Sequence, residues 1–353
     1  METFMKRILP MLLVIALLAA ACGGGEDEAT TDESTTTTAA GPLSTTTTQA
    51  TTSTTEVESA PTWPWSGEVM TAAADAPPLP PVLIAKYSNA PKARPQQGLE
   101  AADMAMEVVV EGGVVRILAV FQSEIPDTIG PLRSVREVDP KLIEPFDATF
   151  LSSGGQPAVM NAIDAVAVNA SDGRAGGYFR QSGRTAPYNL LLDTEAVVAD
   201  AEPSTVENIW YSFDAQKPTG EQALTVDVGI SSFHTTTYRY SSLDDGYLRF
   251  NGEEPHETLD GDQLVASTVV AVFVEQVSTG RVDSSGSPVP DFDVVGSGEA
   301  VVFRDGVAIP GIWERGRAED FFRLFDSEGD PIPFKAGQIW FEIVPLDRSV
   351  EWQ

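Results

Sequence analysis

Two stretches of the chain set arginine beside glycine or proline: Gly130-Pro131-Leu132-Arg133-Ser134-Val135-Arg136 and Gly176-Gly177-Tyr178-Phe179-Arg180-Gln181-Ser182-Gly183-Arg184. A guanidinium is a planar fork of N–H donors that matches carboxylate and phosphate oxygens. Glycine-rich loops carry binding function more often than core segments do. Ser153-Gly154-Gly155-Gln156-Pro157 lies between a strand-like run and a helical pattern, where glycines can bring backbone N–H groups close to an anion. The candidate ligand-binding set is therefore Arg116, Arg133, Arg136, Gly154, Gly155, Arg180, Arg184 and Asn189. Read this way, the residues form a pocket for an anionic or polyhydroxylated ligand. Read the other way, the same arginines pair with Asp103, Glu107 and Glu111 and pin loops to a sheet.

The carboxylates offer a second chemistry. Met104–Val110 and Val114–Phe121 are strand-like runs joined through Glu111-Gly112-Gly113. With the two glycines as a two-residue turn, Glu111 faces Val114 and Val109 faces Arg116. Alternation then sets Glu107, Val109 and Glu111 on one face with Arg116. Two carboxylates on one face could serve as general acid and base, with Asp103 a third candidate. An arginine between them would lower both pKa values instead of splitting them, which suits an ion cluster better. Ser152 and Ser153 have no histidine near them in sequence. His234 and His256 stand apart from other metal-ligand types, which argues against a zinc site. No calcium-binding EF-hand loop, phosphate-binding loop, dinucleotide fingerprint or Gly-x-Ser-x-Gly elbow is present, so no metal or cofactor is expected.

Charge narrows the class of partner. The 353 residues carry 52 acidic and 22 basic side chains, a formal net charge of -30. Phosphate backbones require clustered Lys and Arg, so nucleic acid is excluded as an expected partner. Charge-driven adsorption to an anionic membrane is excluded for the same reason. The acidity is uneven: Lys86 to Arg184 holds ten basic and twelve acidic residues. The arginines thus sit in a nearly neutral half of a very acidic chain.

The elements that must position them follow from the pattern. Met1–Ala21 opens with Lys6 and Arg7, runs through an apolar stretch too short for a comfortable membrane span, and ends in Ala19-Ala20-Ala21 before Cys22. This layout is similar to a bacterial lipoprotein signal, with Cys22 as the acylated residue. Several acyl chains there would hold the protein to a membrane, with no need of a transmembrane helix. Residues 22–78 are rich in threonine and poor in large apolar residues, and read as a disordered tether that ends around Trp63-Pro64-Trp65. Beyond it, strand-like runs at Val82–Tyr87, Met104–Val110, Val114–Phe121 and Ala148–Ser152 mix with helical spacing at Ala158–Val166 and Thr194–Ala201. From Leu224 onward, strand runs alternate with turn signals such as Asp245-Gly246, Asn251-Gly252 and Asp305-Gly306. The expected fold class is α+β: a mixed α/β domain over 79–217, then a β-rich domain over 218–353.

Longer motifs carry a resemblance. Ala93-Arg94-Pro95-Gln96-Gln97-Gly98-Leu99-Glu100-Ala101-Ala102-Asp103, Val110-Glu111-Gly112-Gly113-Val114-Val115-Arg116, Ile129-Gly130-Pro131-Leu132-Arg133-Ser134-Val135-Arg136 and Arg184-Thr185-Ala186-Pro187-Tyr188-Asn189-Leu190 resemble the YerB-like bacterial lipoproteins of the DUF3048 family. In the second half, Asn251-Gly252 with His256, Val302-Phe303-Arg304-Asp305-Gly306 and Ala336-Gly337-Gln338-Ile339-Trp340 resemble that family's C-terminal companion domain. The likeness runs from about Val82 to Pro345. It implies an extracytoplasmic, lipid-anchored protein of the cell envelope. Where the family pattern carries histidine, this chain has Ser152 and Tyr188, so an activity that used either histidine would be missing. Three functions stay open: a non-catalytic binder of an anionic or glycan-like envelope ligand, a carboxylate-dependent envelope hydrolase or transferase, and a scaffold that meets an envelope protein.

Overall fold

The computed structural model describes residues 60–71, 78–204, 211–283 and 285–353, and the backbone of Lys6–Arg7. The rest of the expected signal segment, Cys22 and most of the 22–78 tether lie outside these residues.

The centre of the body is built from runs with almost no polar side chains. Leu83–Ser88, Met104–Val109, Val115–Phe121 and Ile339–Pro345 are strands buried on both faces. Strands of this composition can only sit inside a layered structure, covered above and below. They form the middle of a 12-stranded sheet. Thr268–Val282 and Gly296–Arg304 extend it on one side, and Thr149–Leu151 and Val168–Asn169 on the other. Ile339–Pro345 pairs in parallel with both Met104–Val109 and Thr268–Val282, so strands from the two ends of the chain meet at the sheet's centre.

Two layers cover this sheet. On one face lies a smaller sheet containing Thr225–Ser231, His234–Ser241, Gly246–Asn251 and Val350–Trp352. Thr225–Ser231 alternates buried and half-buried residues, the pattern of a strand with one face on the core. On the other face an aromatic cluster packs against Met104, Met106 and Phe341. Trp65 is its fully buried centre, with ring centroids 4.8 Å from Phe146 and 4.9 Å from Phe321. Residues 60–71, read from sequence as the end of the tether, therefore contribute to the core of the body.

The mixed α/β expectation for the first half is corrected. Among the described residues the α-helices are Asp139–Ile143, Pro157–Asp164 and Glu195–Val198, of 5, 8 and 4 residues. The spacing of Val159 and Ile163 does mark a real helix, but helices this short have little stability of their own. They serve as corner pieces on a sheet. The first half is β-rich like the second.

The turn at Gly112-Gly113 also differs from the expected one. Val108 pairs with Arg116 and Val109 with Val115, and the Val110 N–H bonds the Val114 carbonyl at 2.7 Å. The turn therefore spans Glu111, Gly112 and Gly113, with both glycines at positive φ. One extra turn residue shifts the register by one, and a one-residue shift sends every side chain to the opposite face. Glu107 consequently pairs with Ile117 and points away from Arg116.

Candidate functional site

The loop after Ile129 carries Arg133 and Arg136, and the loop after Thr149–Leu151 carries Ser153 and Gly155. Backbone bonds zip the two together: Ser153 N–H to the Arg133 carbonyl at 3.1 Å, and Val135 N–H to the Gly154 carbonyl at 3.0 Å. Asp139 anchors the first loop from beneath. It accepts from the Arg136 N–H at 2.7 Å and from the Lys86 ammonium at 2.6 Å, a pair with no exposure. Burial first, partly offset by Asp139, lowers Lys86 to about 8.

Between these loops and the turn at Glu111 lies a cleft of about 580 Å³. Arg116, Arg133, Arg136 and Gly155 all line it. So do Gln156 and Val159, at the N-terminal end of the Pro157–Asp164 helix, where unpaired N–H groups and the helix dipole favour negative charge. Glu111 holds two of the arginines. It accepts from Arg136 Nε at 2.6 Å, and again from the Arg136 fork, and lies 3.5 Å from Arg116. Burial alone would raise the Glu111 carboxyl, but Arg136 and then Arg116 outweigh it and hold it below its ordinary value. Arg116 also donates to the Ser134 carbonyl. Arg133 is different. Its guanidinium makes no hydrogen bond or ion pair among the described residues and stands 5.6 Å from the centre of the Tyr188 ring. Burial, with the Arg136 charge beside it, leaves it below its ordinary value, only partly offset by Tyr188 and Glu111. An anion in the cleft would relieve that.

The other predicted ligand residues lie outside the lining of this cleft. Gly154 gives its N–H to Ser152 Oγ at 3.0 Å. Arg180 is exposed and donates to Asn189 Oδ1 at 3.0 Å. Arg184 donates to the carbonyls of Ala93 and Pro95 at 2.9 and 2.8 Å, and the Asn189 amide returns to the Arg184 carbonyl at 3.0 Å. These residues tie one loop to another. Asp103 is buried and accepts from the N–H groups of Gln122 and Ser123 at 2.7 and 3.0 Å, a fixed backbone cap.

Glu107 belongs to a different constellation, buried between the two sheets. It accepts from Arg249 at 2.6 Å, Thr236 at 2.5 Å and Asn89 at 2.6 Å. Burial would raise it, but the charge of Arg249, then His234, then the Thr236 and Asn89 bonds bring it down to about 2. Arg249 lies over Trp340 at 4.1 Å and donates to His256 Nδ1. His256 passes its Nε2 proton toward Gln96 Oε1 at 2.8 Å. Burial, then Arg249, keeps His256 neutral. The sequence alone did not single out Arg249 or Glu342. A signal existed: Glu107 and Glu342 are each the lone charge in an otherwise apolar strand, a placement that demands a partner.

The arrangement can hold an anion in the arginine cleft. Its carboxylates are poorly placed for proton transfer to a ligand, since Glu107 has no exposure and Glu111 is held ionised by its arginines.

Comparison with known proteins agrees with this architecture. Residues 68–207 match the family described as "Protein of unknown function (DUF3048) N-terminal domain", and residues 225–341 match its C-terminal domain. The Bacillus subtilis (strain 168) protein named "Putative lipoprotein YerB" is 28% identical over 283 residues, covering 76% of this chain and 82% of that protein. The crystal structure of the YerB protein from Bacillus subtilis superposes with a TM-score of 0.70 at 24% identity, over 82% of this chain and 99% of that one. With both family domains matched in order over most of the body, this chain belongs to the DUF3048 family.

Proposed function

We propose that this protein is anchored by lipid on Cys22 at the outer face of a membrane, and that its body binds an anionic, glycan-like ligand of the cell envelope in the arginine cleft. The anchor rests on the Met1–Ala21 pattern ahead of Cys22 and on the lipoprotein name of the Bacillus subtilis relative. The binding reading rests on one observation above all: Arg116, Arg133 and Arg136 meet at a single open cleft, and Arg133 has no partner there. A guanidinium in that state gains most from a carboxylate or phosphate oxygen. Gly155 lets the two loops pack closely beside the cleft, since a Cβ at that position would come 2.4 Å from Val135 Cγ1. Glu111 clamps Arg116 and Arg136 in place, so the cleft is formed before a ligand arrives.

The test uses the full-length acylated chain in detergent, titrated with inorganic phosphate, glycerol 3-phosphate and a sugar phosphate. Binding is expected, weakened about tenfold or more by Arg133→Gln, the scale of one lost charge-assisted hydrogen bond. Unchanged affinity in that variant, or no binding of any of the three probes, would remove the cleft from consideration. Cys22→Ala should move the protein from the membrane fraction to the soluble one. Continued membrane retention would remove the anchor.

A further inference from the structure

A second hollow, of about 660 Å³, lies on the other side of the Glu111–Val114 turn. Its walls come from both sequence halves: Asn89, Arg94 and Tyr188 from the first, and Phe233, His234 and Asn251 from the second. Two features of these walls are unexplained by the fold. Arg94 Nε and Asn251 Nδ2 are both buried N–H donors, and neither has a hydrogen-bond partner. An unpaired buried donor is costly, and native structures keep few of them. Phe233, at the tip of the hairpin joining Thr225–Ser231 to His234–Ser241, is 83% exposed although it leans against Gly113. A large apolar ring left in water at the mouth of a hollow with two waiting donors has the composition of a ligand site.

The donors are held in place from behind. Asn251 Oδ1 accepts from the Asn89 amide at 2.9 Å, and the same Asn89 amide donates to the buried Glu107 carboxylate at 2.6 Å. His234 lies 3.2 Å from Thr236 Oγ1 and 3.7 Å from Glu107. Arg94 is tethered at one fork nitrogen to the exposed Glu254 at 3.3 Å, which leaves its Nε free. One guanidinium and one neutral amide offer a single positive charge and two donors on separate elements. A carboxylate has one charge and two oxygens, one for each donor. A doubly charged phosphate would meet Glu254 with only Arg94 to balance it. Phe233 and Tyr188 would take an apolar face or a ring. Ring-bearing acids of two sources share this chemistry: sugars that carry a carboxylate, and aromatic amino acids.

We infer that this hollow is a second ligand site, distinct from the arginine cleft, that recognises a carboxylate carried on a ring through Arg94, Asn251 and Phe233.

The experiment titrates the full-length chain in detergent by calorimetry with N-acetylmuramate and N-acetylphenylalaninate, and with uncharged N-acetylglucosamine and N-acetylphenylalaninamide. At least one of the acids should bind, tenfold or more tightly than its uncharged counterpart, and whichever binds identifies the source. Arg94→Gln and Asn251→Asp should each weaken that binding at least tenfold, the latter by setting a carboxylate against a carboxylate. Phe233→Ala, at an exposed position where folding is not at stake, should weaken it as well. Arg133→Gln should leave it unchanged, even if the arginine cleft binds nothing. No preference for either acid, full affinity in both Arg94→Gln and Phe233→Ala, or loss with Arg133→Gln alone would each overturn the inference.

Discussion

Glu107 and Glu342 stand opposite one another in register on neighbouring parallel strands, and both are fully buried. Arg249 reaches Glu107 directly, at 2.6 Å, while Glu342 accepts only the Tyr238 hydroxyl, at 2.6 Å. Two adjacent buried carboxylates cannot both ionise against one guanidinium. Burial, and after it the Glu107 charge, holds Glu342 well above its ordinary value, which favours its neutral acid form. Its remaining oxygen, Oε2, has no hydrogen-bond partner. This pair joins the first half of the chain to the second at the centre of the core.

The two glutamates should respond oppositely to the same substitution. Glu107→Gln strips Arg249 of its counter-charge in a fully buried site, which should cost about 3–5 kcal/mol. Glu342→Gln replaces a neutral acid by a neutral amide and should raise the unfolding free energy at pH 7. Urea denaturation of the two variants beside the parent checks this. Equal destabilisation by both would mean that Glu342 is charged.

Stability should also depend on pH in two windows. Glu107, depressed from 4.5 to about 2, contributes stability that is present above pH 4.5 and is lost as pH falls toward 2. Glu342 is raised, so its contribution is full below pH 4.5 and declines as pH climbs toward its folded value. One proton corresponds to at most about 1.4 kcal/mol per pH unit. The stability advantage of Glu342→Gln over the parent should therefore widen between pH 5 and pH 8 in a series of denaturation curves. A constant gap across that range would contradict the assignment.

The arginines divide into structural and free, and stability measurements should separate them. Arg184→Ala leaves the carbonyls of Ala93 and Pro95 without their donor and should cost about 1.5–3 kcal/mol. Arg133→Ala removes no hydrogen bond or ion pair and should change stability by less than about 0.5 kcal/mol. Chemical denaturation of the two variants decides. Similar losses in both would place Arg133 among the structural residues.

Trp65 fixes where the body begins. Trp65→Ala would empty a fully buried site between Phe146 and Phe321 and should cost about 3–5 kcal/mol. Thermal unfolding of the variant reads this directly. A melting temperature unchanged from the parent would return residues 60–71 to the tether.

Much of the fold was legible because strand periodicity is a local property. The expected runs at Met104–Val110 and Val114–Phe121 lie within a residue of the strands Met104–Val109 and Val115–Phe121. The helix at Ala158–Val166 was equally visible, but its spacing gave no measure of its weight in the first half, which is β-rich. Arg116, Arg133 and Arg136 could be marked as a group from their residue types, and they do line one cleft. Their separation from Arg180 and Arg184 was not visible in sequence.

The sequence by itself determined several of the central strands, that the chain is strongly acidic with its arginines concentrated in one half, and which family it resembles. Tertiary structure decided the rest. The register at Glu111–Gly113 depends on one extra turn residue, and only the paired strands reveal that it parts Glu107 from Arg116. Glu107 and Glu342 are 235 positions apart and become neighbours only through parallel pairing at the middle of the sheet. Arg94 and Asn251 likewise line one hollow only because the fold brings the two halves of the chain together. Charge and periodicity act along a chain, whereas desolvation and pairing depend on what the fold sets beside each group.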